Sequence, residues 1–283
     1  MNHRNAANLL ALPLTALLAC TGGEETTDTA DTADTADTSD TAGDCSTPTE
    51  VSGDIDADTT WSCDVILSGV VTVTNDAVLT IDPGVTVSGK SGSALVIAQG
   101  SRLEAAGTMD EPIVFTSSQA AGARNRGDWG GIVFLGRSYT NLMAGVGVAE
   151  GLENNATYGG TDPAYSCGSL KYVRVEFAGF ELTTDNELNG VTFYSCGTGT
   201  TVEYLQVHMG DDDGIEMFGG SWTGKNIVIT GAADDSIDVD QGWAGTLTNI
   251  FIQQDPNDGN YAFEISDQDI NLDALPRTAP QIS

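Results

Sequence analysis

Between Thr201 and Trp243 apolar and polar positions run through one cycle and then repeat it. TVEYLQVHMGDDDGIEMFGG is followed by GKNIVITGAADDSIDVDQGW. Val207 maps onto Ile229, Asp213 onto Asp235 and Ile215 onto Ile237, each about 22 residues on, and a third, looser copy puts Ile252 in the place of Ile229. Short β-branched runs with period-two alternation predict strands, and the Gly/Asp clusters between them predict turns. A unit of this length, repeated, is the signature of a β-solenoid: one coil cannot bury its apolar face alone, and stacked coils bury a continuous core.

The same pattern begins earlier. Val70–Val73, Val78–Ile81 and Val85–Val87 are separated by Asn75-Asp76 and Asp82-Pro83-Gly84, and runs at 94–98, 102–105 and 112–116 continue it. No helical periodicity of useful length occurs after residue 45. Two stretches interrupt the rhythm and are expected to be loop excursions from a coil: 136–169, and the acidic FELTTDNELN at 180–189. Loops of such length in a compact domain are usually functional or mobile.

Alternation also places side chains. With Ile215 and Met217 facing in, Glu216 and Phe218 face out. One outward column then reads Thr192, Glu216, Asp238, with Glu264 as a possible fourth member, and the next reads Tyr194, Phe218, Asp240. At the preceding turn Asp213 stacks on Asp235, with Asp212 and Asp234 beside them.

The first 44 residues follow neither pattern. Met1–Cys20 has a basic start at Arg4, a short apolar stretch and the tetrapeptide Leu17-Leu18-Ala19-Cys20. An apolar segment this short is a secretion signal and not a membrane span. Its last four residues resemble a bacterial lipobox, which implies lipidation of Cys20. Thr21, where Asp would favour inner-membrane retention, implies the outer membrane. Residues 21–44 are almost only Thr, Asp and Ala, and such a segment cannot offset its ordering entropy. It is expected to be a disordered linker, a stalk reaching roughly 25–30 Å as a coil. The folded domain is then expected over 45–283.

Charge narrows the partners. The formal net charge of −31 argues against nucleic acid and anionic membrane surfaces, both polyanions, and favours divalent cations. No strand-to-helix glycine loop suggests a nucleotide. Four cysteines remain after Cys20, an even number in an exported chain. Because solenoid contacts are between neighbours, Cys45 is expected to pair with Cys63 and Cys167 with Cys196.

Several stretches resemble a known group: DWGGIV at 128–133, YGGTDP at 158–163, YVRVEFAGFE at 172–181, DNELNG at 185–190, Asp211–Glu216, Phe218-Gly219-Gly220 and PRTAP at 276–280. They are similar to motifs of secreted and lipid-anchored right-handed parallel β-helix proteins of Gram-negative bacteria, a largely uncharacterised family. The resemblance covers roughly 65–283. It implies an all-β, right-handed parallel β-helix and almost nothing about function. Its members usually continue past the PRTAP-like segment, so the end at Ser283 is expected to mark either a fragment or an uncapped coil, which would be a pairing hazard.

The candidate chemistry is carried by carboxylates. Stacked about 4.8 Å apart, ionised pairs repel by roughly 3 kcal/mol at an effective dielectric of about 20. After Arg137 the only basic residues are Lys171, Arg174, Lys225 and Arg277, too few to neutralise the acids. Hard oxygen donors in this number suit Ca²⁺, so Asp211, Asp212, Asp213, Glu216, Asp234, Asp235, Asp238 and Asp240 are the candidate ligands; the competing role is a solvated face with Asp as turn residue. Carboxylates near 5 Å apart also fit a glycosidase pair, and many β-helices act on acidic polysaccharides. Yet Asn-Thr-Asp-Gly, Gly-His-Gly and Arg-Ile-Lys are all missing, and only Arg174 and Lys225 offer a base for elimination. Trp222 and Trp243, with Trp129, are candidates for a sugar-stacking platform or for corner packing. His208 alternates with Val207 and is expected at the surface. Together these features predict a lipid-anchored surface protein that binds or displays, to a glycan or another surface protein; a polysaccharide lyase or hydrolase and a plain structural spacer are the alternatives.

Overall fold

A computed structural model describes residues 45–152, 156–183, 186–268 and 271–283. The signal segment with Cys20 and the linker at 21–44 lie outside the described residues. From residue 45 on, the described chain is all β, and its main sheet is wound from parallel pairings. It is a right-handed parallel β-helix.

The coil has three faces. On the first, Val78–Ile81, Arg102–Ala106 and the opening halves of Gly168–Glu176, Thr201–His208, Thr223–Thr230 and Thr246–Gln253 stack in register. The closing halves of those four long strands form the second face with Thr86–Gly89 and Ile113–Ser117. The third is built from Ala94–Ile97, Ile132–Leu135, Val191–Tyr194, Ile215–Phe218, Ile237–Asp240 and Glu264–Ile265. The sequence repeat is the physical one: Val207 pairs with Ile229, Ile215 with Ile237 and Ile229 with Ile252.

Many of the corners are turned by residues in the left-handed region, where most side chains cost about 1–2 kcal/mol. Tyr172, Tyr204, Asn226 and Asn249 turn the chain from the first face to the second, at φ of 48°, 55°, 58° and 62°. Phe177, Met209 and Gly231 turn it onto the third.

The inward positions form one continuous core that includes Leu79, Phe115, Phe193, Met217, Ile229 and Val239. Trp129, Trp222 and Trp243 belong to it, each fully buried. This corrects the expectation of a sugar-stacking platform at Trp222 and Trp243. Their rings fill the coil interior, Trp222 against Phe193 and edge-on to Trp243, because burying these large apolar surfaces in the continuous core outweighs leaving them in water.

The excursion at 136–169 also differs from expectation, since it has structure of its own. Val146–Val148 and Thr157–Gly159 form an antiparallel hairpin that folds over the third face. There a second, smaller core gathers the outward side chains Val96, Val133, Leu135, Tyr194 and Phe218 with Ala149, Ala156 and Tyr158 of the excursion. The Tyr158 and Tyr194 rings stand 4.5 Å apart. Disulfides join Cys45 to Cys63 and Cys167 to Cys196, the second at the end of the excursion. The 180–189 segment likewise holds a short antiparallel pair, Glu181–Thr183 with Asn186–Glu187.

Candidate cation site

Below the second core the third face turns acidic. Thr192 pairs with Glu216, Glu216 with Asp238 and Asp238 with Glu264, so the outward column holds three successive carboxylates. At the turn before each strand a second ladder runs parallel to it. The Asp213 N–H donates to Asn189 Oδ1 (3.1 Å), the Asp235 N–H to Asp213 Oδ1 (2.8 Å) and the Tyr261 N–H to Asp235 Oδ1 (2.5 Å). Each acid thus caps the next coil, the turn role open to Asp, and is held in place by doing so.

The two ladders converge on one pocket of about 190 Å³, lined by Asp212, Asp213, Glu216, Asp234, Asp235, Asp238 and Glu264 together with Glu150, Asn189, Thr192, Leu188 and Tyr194. Two triads of oxygen donors share Asp213: with Asp212 and Asp234, and with Glu216 and Asp238. Within each triad the ligand atoms lie within 4.8 Å of one another. Asn189 orients the floor, its amide donating to Glu216 Oε2 (2.5 Å) and Thr192 Oγ1 (3.2 Å). Asp238 Oδ1 is buried with no hydrogen-bond partner. Among the described residues no Lys or Arg lines the pocket.

Burial and crowding push these acids up. Burial lifts Asp213 to about 9, aided by Asp212 and Asp238. It lifts Asp238 to about 7 with help from Glu264, and Asp235 to about 6. Glu216 is raised well above its usual range by burial and then by Asp213 and Asp238. Like charges in a low-dielectric site disfavour ionisation until something positive enters.

A family model described as a pectate-lyase-like β-helix domain matches residues 53–283. The chain belongs to that family. No curated protein and no solved structure matches it. A β-helix domain of the pectate-lyase-like type fits a binding role or a polysaccharide-acting one.

Of the eight predicted ligands, the pectate-lyase-like coils bring six together. Asp211 and Asp240 are not among the lining residues. Asp211 packs against Gly127 and feels Arg126, because its turn points to the second corner and away from the third face. Asp240 is buried beside Phe218 and accepts a hydrogen bond from Ser266 Oγ (3.0 Å). Two contributors went unpredicted. Glu150 comes from the excursion, and nothing local marks it. Asn189 sits in the DNELNG motif, where its amide, flanked by Leu188 and Gly190, was a readable turn signal. The two candidate bases are elsewhere: Arg174 pairs with Glu176, and Lys225 is an exposed residue of the first face. His208 is half-buried, its Nδ1 2.8 Å from Thr230 Oγ1.

Proposed function

We propose that the chain is an exported surface lipoprotein, anchored through Cys20, whose β-helix holds Ca²⁺ in the carboxylate pocket and serves in binding or display to a glycan or another surface protein. The supporting observation is the pocket: paired oxygen triads sharing Asp213, with no Lys or Arg lining it among the described residues. Ca²⁺–oxygen bonds of 2.3–2.6 Å put ligands on opposite sides of the ion about 4.6–5.2 Å apart. Donor atoms that lie within 4.8 Å of one another are close enough to share one such ion. Asp213, Glu216 and Asp238 would hold one ion, and Asp212 and Asp234 would extend the site. The two disulfides support export to an oxidising compartment.

Catalysis on acidic polysaccharide is the lesser reading. The pocket, at about 190 Å³, is below the roughly 300–1,000 Å³ of sites for organic ligands, and among the described residues no Lys or Arg lines it to serve as base for elimination. Isothermal calorimetry with CaCl₂ tests the proposal. A saturable heat that falls at least tenfold in affinity in Asp238→Asn is expected, since a ligand held by few carboxylates depends on each. No heat, or equal affinity in wild type and variant, contradicts it.

A further inference from the structure

The corner between the first and second faces carries a feature that the cation site does not use. Two coils place tyrosine in the left-handed region there, Tyr172 and Tyr204, where the next two coils place asparagine. Asparagine tolerates that conformation; a bulky aromatic does so only at a cost, and residues held this way cluster at ligand clamps. The two rings stack at 4.3 Å with an 8° tilt, and below them Asn249 Nδ2 donates to Asn226 Oδ1 (2.6 Å). The result is one axial ladder of two phenols and two amides, a step per coil, about 4.8 Å each.

Beside the ladder runs a groove of about 550 Å³, inside the range of organic-ligand sites. Phe251 and Tyr204 stand exposed along it. In a chain with a formal net charge of −31, no carboxylate lines this groove among the described residues. Among the described residues its one cation, Arg174, pairs with Glu176, which lies outside the lining and also faces Arg124. Apart from that one paired arginine the lining is uncharged, with apolar carbon from Val228 and Phe251 and edge groups that both donate and accept hydrogen bonds.

We propose that this groove binds a neutral glycan chain laid along the solenoid axis. Sugars present apolar C–H faces and vicinal hydroxyls that donate and accept, the match for aromatic carbon and side-chain amides. The axial step of the ladder is close to the length of one pyranose residue in an extended chain, so successive sugars meet equivalent positions on successive coils. A polyuronate would find only one arginine here, already ion-paired, and would meet the negative field of the rest of the molecule. The groove shares no lining residue with the carboxylate pocket and does not depend on it.

Affinity electrophoresis tests this, in chelator throughout so that the cation site does not enter. The gels contain a neutral β-glucan, α-glucan, galactan, mannan or xylan, or polygalacturonate. At least one neutral polymer is expected to retard the full chain more than polygalacturonate does. Tyr204→Asn installs the residue used by the next two coils and so should fold; it is expected to lose about tenfold in affinity, the order of a lost aromatic anchor. The proposal is overturned if no neutral polymer retards the protein, as expected of a groove built for a protein partner. It is equally overturned if Tyr204→Asn migrates as wild type, or if polygalacturonate retards most.

Discussion

Asp213 shows how one side chain serves both folding and a site. Its Oδ1 caps the next coil by accepting from the Asp235 N–H, which fixes the carboxylate where its like-charged neighbours also converge. The turn role and the ligand role are thus not alternatives at this position. The tryptophans show the opposite outcome. Trp222 was a candidate for sugar stacking, yet its ring is fully buried against Phe193. Trp222→Ala should therefore cost about 3–5 kcal/mol in chemical denaturation, the cavity cost of a large aromatic, where a surface platform would cost little. Alternation could not tell these roles apart, because Trp222 and Trp243 sit in corners, outside the period-two strands. The outward acids were legible for the converse reason: Glu216 and Asp238 lie inside strands whose inward partners, Ile215, Met217, Ile237 and Val239, are unmistakable.

At the level of elements, the strands and their register could be read from the sequence because every coil repeats its neighbour. The excursions at 136–169 and 180–189 could be located as breaks in that rhythm, but their own antiparallel pairs could not be read, because each occurs once. One signal did mark the covered third face. Ala94–Ile97, Ile132–Leu135 and Val191–Tyr194 have no exposed position, and a strand with little alternation is buried on both sides. The excursion at 136–169 supplies that second cover and brings Glu150 to the pocket. Tyr158 is its main anchor, packed on Tyr194 and donating to Gln241 Oε1 (2.8 Å). Tyr158→Ala is expected to open the excursion to limited proteolysis within 142–166 several times faster than in wild type, while the paired coils stay uncut. Equal cleavage rates would mean that the hairpin is held by other contacts.

Across the whole molecule the acidic pocket links stability to pH. Asp213, Asp238 and Asp235 have folded-state values of about 9, 7 and 6, all above the roughly 3.9 of an unfolded Asp. Between those limits the folded state holds more protons than the unfolded chain, so stability falls as pH rises. As far as these groups decide, the metal-free protein should be most stable below about pH 4 and should lose stability steadily above it, the slope easing as the acids titrate in the folded state at about 6, 7 and 9. Chemical denaturation in chelator from pH 5 to pH 9 checks the sign. A flat profile, or a rising one, would mean that solvent already relieves the crowding.

A bound divalent cation replaces those protons, so the central claim is tested most directly by thermal unfolding at pH 8 with excess CaCl₂ and with chelator. At a hundredfold excess over the dissociation constant a ligand specific to the folded state adds about 2.7 kcal/mol. In a domain of this size each kcal/mol moves Tm by about 2–4 °C. Calcium is therefore expected to raise Tm by roughly 5–10 °C, with most of the rise lost in Asp238→Asn. An unchanged Tm, or an equal rise in the variant, would contradict a cation site in the carboxylate pocket and leave its acids as a turn ladder alone.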